Sequence, residues 1–164
     1  MTPAILQART SGIEFKLHEF PPDENVHGRV SGSTVETVRA IGLPVGRVFK
    51  TLVAILDDAE FVIAVVPIAR QLDLNRLAAI AGARRARLAD PNAAERATGY
   101  KRGSISPLGQ GQRMPVFIDE SAFAMPSIYV SGGREGLEIE LTADALKKAC
   151  DGCSASVANA NQRD

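Results

Sequence analysis

Lys50 lies inside the run Val48-Phe49-Lys50-Thr51-Leu52-Val53, otherwise mostly apolar on both strand faces. An ammonium in such surroundings costs free energy unless it is paired. It is either kept there for chemistry or is a strand-end lysine whose head reaches water along its own stem. The glycine-rich stretch Gly99-Tyr100-Lys101-Arg102-Gly103-Ser104-Ile105-Ser106-Pro107-Leu108-Gly109 is a second candidate. Glycines let backbone N–H groups approach a ligand closely, where they can stabilise an oxyanion. The same stretch also reads as an ordinary surface loop. Ser131-Gly132-Gly133 could add a hydroxyl and further amides beside that loop, although a plain hairpin turn is the simpler account.

Several familiar chemistries find no support. Gly109-Gln110-Gly111 lacks the third glycine of a dinucleotide-binding turn, and there is no phosphate-binding P-loop. No Gly-x-Ser-x-Gly elbow marks a serine hydrolase. His18 and His27 are the only histidines, and His18 reads as a solvated strand residue rather than a general base. Cys150 and Cys153 have the spacing of a redox pair or half a zinc site. No second pair completes a zinc site, and the end of a helix is the wrong place to activate a thiol. No metal or other cofactor is expected. Of the basic clusters, only Lys101-Arg102 adjoins the candidate loop, which makes it the expected phosphate contact.

The elements that must position these residues follow from local signals. Thr2-Pro3 reads as the start of a helix that stops at Gly12. Ile13, Phe15 and Leu17 alternate with Glu14, Lys16 and His18 as in a half-buried strand. After a loop from Pro21 to Gly32, Ser33 and Glu36 form a capping box for a second helix. Runs Val48–Leu56 and Glu60–Val66 form a hairpin across Asp57-Asp58-Ala59. Asp73 caps a helix that ends at Gly82, and a short strand is expected near Arg87–Ala89. Asp90-Pro91 opens a helix that ends at Gly99. Strands are expected at Val116–Asp119, Ile128–Ser131 and Leu137–Leu141, the last two joined across Gly132–Gly136. Thr142 caps a final helix to about Cys150, and the small, polar residues after Gly152 read as a frayed tail.

With hairpins and adjacent strands this predicts an α+β domain, a mostly antiparallel or mixed sheet with helices around it. The 164 residues suit one domain, residues 1–150, followed by the tail 151–164. Lys plus Arg equals Asp plus Glu at 19 each, so nothing in the net charge attracts nucleic acid and RNA must be met by a local patch. Two cysteines suggest a reducing compartment, and neither a signal peptide nor a membrane span is evident. A cytoplasmic location is expected.

Met1-Thr2-Pro3-Ala4, Phe49-Lys50-Thr51-Leu52, Gln71-Leu72-Asp73-Leu74, Ala89-Asp90-Pro91 and Thr98-Gly99-Tyr100 occur in this order. They are followed by Gly103-Ser104-Ile105-Ser106-Pro107-Leu108-Gly109 and Ile128-Tyr129-Val130-Ser131-Gly132-Gly133. Together they resemble the YbaK/EbsC family of prolyl-tRNA editing proteins, the Cys-tRNA(Pro) deacylases, over nearly the whole chain. The resemblance implies a curved, mixed, mostly antiparallel β-sheet surrounded by helices, the fold of the editing insertion in bacterial prolyl-tRNA synthetases. It implies an enzyme that removes a misattached amino acid, cysteine above all, from aminoacyl-tRNA(Pro), with prolyl-tRNA synthetase as a partner and no membrane or DNA.

By that resemblance Lys50 and Gly103 are the catalytic positions. Phe20, Ser104, Ile105, Pro107, Ser131, Gly132 and Glu138 are expected at the substrate, with Lys101 and Arg102 at tRNA phosphate. Two positions depart from the cysteine-specific members, which have tyrosine at the place of Phe20 and aspartate at that of Glu138. Relatives in the wider family remove alanine, 2-aminobutyrate, serine or threonine. A tRNA- or synthetase-binding module without catalysis is the alternative from another class, and a thiol redox protein a third.

Overall fold

Short polar side chains set the helix starts. Thr2 Oγ1 accepts from the Ile5 N–H and opens α1, Pro3–Thr10, with proline in its first turn. Asp73, Asp90 and Thr142 do the same for α3, Leu74–Ala81, α4, Pro91–Thr98, and α5, Ala143–Cys150. The computed structural model describes residues 1–21 and 34–159. The expected loop from Pro22 to Gly32, Ser33 and His27 therefore lie outside the described residues. The second helix, α2, Val35–Ala40, is capped by Thr34, whose Oγ1 accepts from the Thr37 N–H at 3.1 Å. The Thr34 hydroxyl satisfies one of the N–H groups that a helix start leaves without a partner.

Strand β1 spans Lys16–Glu19, later than the alternation from Ile13 suggests. Ile13 and Phe15 do pack against the core, but from outside the ladder, and Leu17 is 37% exposed. The hairpin forms as read: β2, Phe49–Leu56, and β3, Glu60–Pro67, pair in register from Phe49 with Pro67 to Leu56 with Glu60. Asp57 and Asp58 turn the chain with φ of 51° and 54°, the mirror-image geometry that matches strand twist. Aspartate is held in this left-handed region by its partners. Asp57 accepts from the N–H groups of Arg84 and Arg85, and Asp58 pairs with Arg87 at 2.8 Å. The same contacts dock β4, Ala86–Leu88, beside β2.

The remaining strands are β5, Val116–Asp119, β6, Ile128–Ser131, β7, Leu137–Leu141, and β8, Cys153–Ala155. They fall into two sheets, with strand orders β1-β7-β6 and β4-β2-β3-β5-β8. Among the described residues only the strand pairs β3–β5 and β5–β8 are parallel, so the fold is α+β, mixed and mostly antiparallel. The two sheets meet where Val48 bridges Tyr129 in parallel sense. Central β3 is buried on both faces from Val62 to Val66, as an interior strand requires. Ile63, Val65, Ile118, Val130, Ile139 and Leu146 are wholly buried in the main cluster, each contributing about 1.5–3 kcal/mol.

The expectation of a frayed tail is corrected at residues 153–159. β8 adds to the edge of β5, and Val157 and Ala158 are buried. Asp119 Oδ1 accepts from the N–H groups of Val157 and Ala158 at 3.1 and 2.8 Å. Arg70 donates to the carbonyls of Asn159 and Ala158. The segment is held through its backbone, so its small side chains carry no sign of it. Among the described residues no helix is long and apolar enough to cross a membrane.

Candidate active site

A cavity of about 530 Å³ opens where the two sheets meet. Its floor is the first half of β2, Phe49 to Val53; Ser131 and Glu138 close one end, and Leu88, Ala89, Pro91 and Ala94 the other. Arg102, Gly103 and Ile105 lean in from the glycine-rich loop. Sheet register explains the polar end. The parallel Val48–Tyr129 bridge brings Lys50 and Ser131, each two residues further on, to the same level, and Ser131 pairs with Glu138.

Burial moves both charged groups toward neutrality. The Lys50 ammonium is lowered from its ordinary range by desolvation, and the same cause lifts the Glu138 carboxyl to about 7. Neither shift has the other group as a cause, and no salt bridge joins Lys50 to any carboxylate among the described residues. Thr51 also lines the cavity, and among the described residues its buried hydroxyl has no hydrogen-bond partner. Two uncompensated titratable groups in one cleft are a mark of a functional site rather than of a packed core.

The loop is held from several sides. Gly103 adopts φ of 86°, open to glycine and strained for other residues. The Tyr100 hydroxyl donates to the Leu108 carbonyl at 2.5 Å, and the Arg102 N–H donates to Glu95 Oε2 at 2.8 Å. Gly109 donates its N–H to Gln7 Oε1 at 2.5 Å, and Gln110 Nε2 donates to the Ser106 carbonyl. Among the described residues the N–H groups of Gly103 and Ile105 have no acceptor, and both residues face the cavity. Such fixed amides beside an ammonium suit a reaction that develops negative charge on oxygen.

Lys50, Gly103, Ile105, Ser131, Glu138 and Arg102 are thus brought together, from four separate segments. The other expected positions lie outside the cavity wall. Ser104 is buried behind the loop with its N–H on the Lys101 carbonyl, Pro107 is buried beyond it, and Lys101 is exposed. Gly132 supports the wall: its carbonyl accepts from Thr2 Oγ1 at 2.5 Å, and an added Cβ would lie 2.5 Å from Leu137 Cγ. Phe20 is half-buried beside Gly136, whose carbonyl accepts its N–H.

The residue-by-residue reading missed the apolar wall of Leu88, Ala89, Pro91 and Ala94, although Ala89-Asp90-Pro91 is one of the segments carrying the resemblance. His18 is better anchored than a solvated strand residue: its Nε2 lies 2.9 Å from Glu140 Oε1 and its ring sits against Tyr129. Glu140 also joins Arg47 and Ser127, but none of this group lines the cavity. Burial pushes the Cys150 thiol up to about 12 and raises Cys153 as well, the reverse of what a redox thiolate needs.

Comparisons with known proteins identify the family and the fold. A family model described as the aminoacyl-tRNA editing domain matches residues 30–149. A curated protein of Enterococcus faecalis (strain ATCC 700802 / V583), "Putative Cys-tRNA(Pro)/Cys-tRNA(Cys) deacylase EbsC", is 31% identical over 156 residues, covering 95% of this chain and 92% of that protein. Among solved structures, "hypothetical protein APE2540" superposes with a TM-score of 0.82 at 22% identity, over 96% of this chain and 100% of that one. "A putative trans-editing enzyme for prolyl tRNA synthetase" superposes at 0.79 and 22% identity, over 97% and 99%. At that identity the two structures show the shared fold.

Proposed function

The chain belongs to the aminoacyl-tRNA editing domain family, and on that footing we propose that it deacylates mischarged tRNA(Pro) in trans, with cysteine as the amino acid removed. The observation that carries the reading is the convergence of Lys50, Gly103, Ser131 and Glu138 on one cavity in a chain of this family. The 31% identity to a protein named for Cys-tRNA(Pro) and Cys-tRNA(Cys) supports cysteine as the first substrate.

An aminoacyl ester is already activated relative to an amide, so the protein has little covalent work to do. The N–H groups of Gly103 and Ile105 receive the oxyanion, where one lost donor typically costs about 3–4 kcal/mol in the barrier. Lys50, cationic and uncompensated, meets the terminal ribose or the same developing charge. Glu138 faces the substrate's α-ammonium, whose arrival favours the carboxylate form. Among the described residues the cavity wall contains neither histidine nor cysteine, and its hydroxyls, Thr51 and Ser131, hydrogen-bond to no general base; we take the nucleophile from the substrate or from water. For cysteine it is the substrate's own thiol. Its sulfur bonds to the carbonyl carbon, the bond from that carbon to the ribose oxygen breaks, and the thiol proton passes to that oxygen. A cyclic thiolactone leaves, and water opens it later. Water attacks directly where the amino acid has no thiol.

Glu138 stands in the wall where the cysteine-specific members have aspartate, one methylene shorter, whereas Phe20 stands outside it. Residue 138 is therefore the position that sets which amino acid fits. Prolyl-tRNA synthetase presents the mischarged tRNA, and the work is done in the cytoplasm.

Purified protein and Lys50→Ala are incubated with Cys-, Ala- and Pro-tRNA(Pro), following loss of each ester. Loss of Cys-tRNA(Pro) that requires Lys50, with thiolactone among the early products, is expected. Loss of Ala-tRNA(Pro) instead moves the substrate, and no loss from any of the three sinks the deacylase reading.

A further inference from the structure

The polar end of the cavity is assembled from two sheets. Lys50 comes from β2 of one, Ser131 and Glu138 from β6 and β7 of the other. Among the described residues one β-bridge joins these sheets, Val48 with Tyr129. Both residues belong to a small apolar cluster of their own, with Val38 and Ile68. Apolar burial is non-directional and leaves the fine alignment of the two sheets to other contacts.

Arg47 supplies the direction. It stands one residue before the bridge and three before Lys50, and its side chain reaches across to the other sheet. Its Nε donates to the Ser127 carbonyl at 2.8 Å, and its Nη2 donates to the Ser127 hydroxyl and, at 3.3 Å, to Glu140 Oε2. The guanidinium carbon lies 5.4 Å from the centre of the Tyr129 ring. Glu140 is fixed in turn by the Ser127 hydroxyl at 2.5 Å and by His18 Nε2 at 2.9 Å. Ser127 immediately precedes β6, which carries Ser131, and Glu140 lies in β7 two residues from Glu138, on the same face. One end of this clamp thus grips the approach to Lys50, and the other the two strands that hold Ser131 and Glu138. Arg47, Ser127, Glu140 and His18 all lie outside the cavity wall. The Arg47–Glu140 ion pair is partly exposed, and such pairs stabilise a fold by only about 0–1 kcal/mol, so the larger effect of the clamp is on alignment.

We propose that Arg47 is a positioning residue, which sets Lys50 against Ser131 and Glu138 by locking the crease between the two sheets and does not itself touch substrate. Its effect on turnover rests on the deacylase reading. Lys50 is about 10 Å along the chain from Arg47, so a small rotation at the crease is carried to the ammonium. A misplacement of about 1 Å in a site of this kind costs up to about a hundredfold in rate.

Wild type, Arg47→Ala and Arg47→Lys are compared on Cys-tRNA(Pro), with Asp119→Ala as a variant loosened at the C-terminal segment instead. Arg47→Ala should lose about ten- to a hundredfold in kcat with KM little changed. Arg47→Lys keeps the charge without the planar fork and should recover only a small part. Asp119→Ala should keep the wild-type kcat at temperatures where it is folded. A rise in KM with kcat intact, or a flatter salt dependence, would mean that Arg47 meets RNA directly, and it overturns the proposal. An equal loss of kcat in Asp119→Ala also overturns it, as the mark of lost stability alone. A second measurement needs no turnover: the 13C-labelled Lys50 side chain is titrated with pH by NMR. Burial lowers the pKa of this ammonium, so loosening the crease in Arg47→Ala should raise the midpoint toward the ordinary lysine value, while Asp119→Ala leaves it in place. An unmoved midpoint in Arg47→Ala overturns the clamp. Wild type inactive on every ester would sink the deacylase reading and leave the titration to decide the clamp.

Discussion

Glu138→Gln is expected to stabilise the protein, and by more as the pH rises. Burial lifts this carboxyl from 4.5 to about 7, and only 7% of the residue is exposed. Between those values the native state keeps a proton that the unfolded chain has released. The stability contributed by the group is therefore full below about pH 4.5 and lost as the pH climbs through about 7. The gap of about 2.5 pH units, at about 1.36 kcal/mol each, comes to roughly 3 kcal/mol for the fully ionised form. Glutamine keeps the shape and brings no charge to desolvate. Urea unfolding of both proteins should give stabilities within about 1 kcal/mol of each other near pH 5, and about 3 kcal/mol apart near pH 8 in favour of glutamine. A difference that stays constant, or shrinks as the pH rises, would refute the reasoning. It would mean that a partner, Lys50 first among them, holds the native carboxylate charged. If the carboxylate receives the substrate's ammonium as proposed, the stabilised variant should at the same time lose deacylation.

Other perturbations test the scaffold. Asp119→Ala removes the acceptor of Ser121, Val157 and Ala158 and should cost about 3 kcal/mol, with limited proteolysis showing new cleavage after Gly152. Gly109→Ala puts a Cβ 2.4 Å from the Pro3 carbonyl carbon at φ of 70°. It should cost about 3 kcal/mol or more, read as a lower thermal midpoint. Cys150, its thiol pushed up to about 12 by burial, should alkylate slowly at neutral pH until urea is added. Cys153→Ser should leave the deacylation rate as it is, and a loss there would revive a thiol role.

The parts legible in the chain were those decided by a few neighbouring residues. Thr2, Asp73, Asp90 and Thr142 announce their helices because a cap needs only one oxygen and the N–H three residues on. Asp57-Asp58 between two β-branched runs marks a hairpin for the same reason. Lys50 stands out because an ammonium among apolar neighbours shows within a window of a few residues. The division into two sheets was not legible, since the parallel pairs β3–β5 and β5–β8 join segments with no local sign of each other. The docked C-terminal segment escaped notice because its fasteners, Asp119 and Arg70, lie 38 and 88 residues from their partners. Leu88 was not legible as part of the cavity wall, because its place there depends on what fails to cover it.

Helix α1 is the keystone of the glycine-rich loop. Gln7 receives the Gly109 N–H across 102 residues of sequence, and Thr2 reaches Gly132 across 130. Contacts of such separation form late, because a long loop must close before they repay its entropy. The β2–β3 hairpin, by contrast, is local and brings Lys50 into place early. A chain caught midway through folding therefore carries its ammonium without the amides that must stand opposite. On the proposed reading hydrolysis needs both, and a chain in which these long-range contacts are not closed should cleave no correctly charged tRNA.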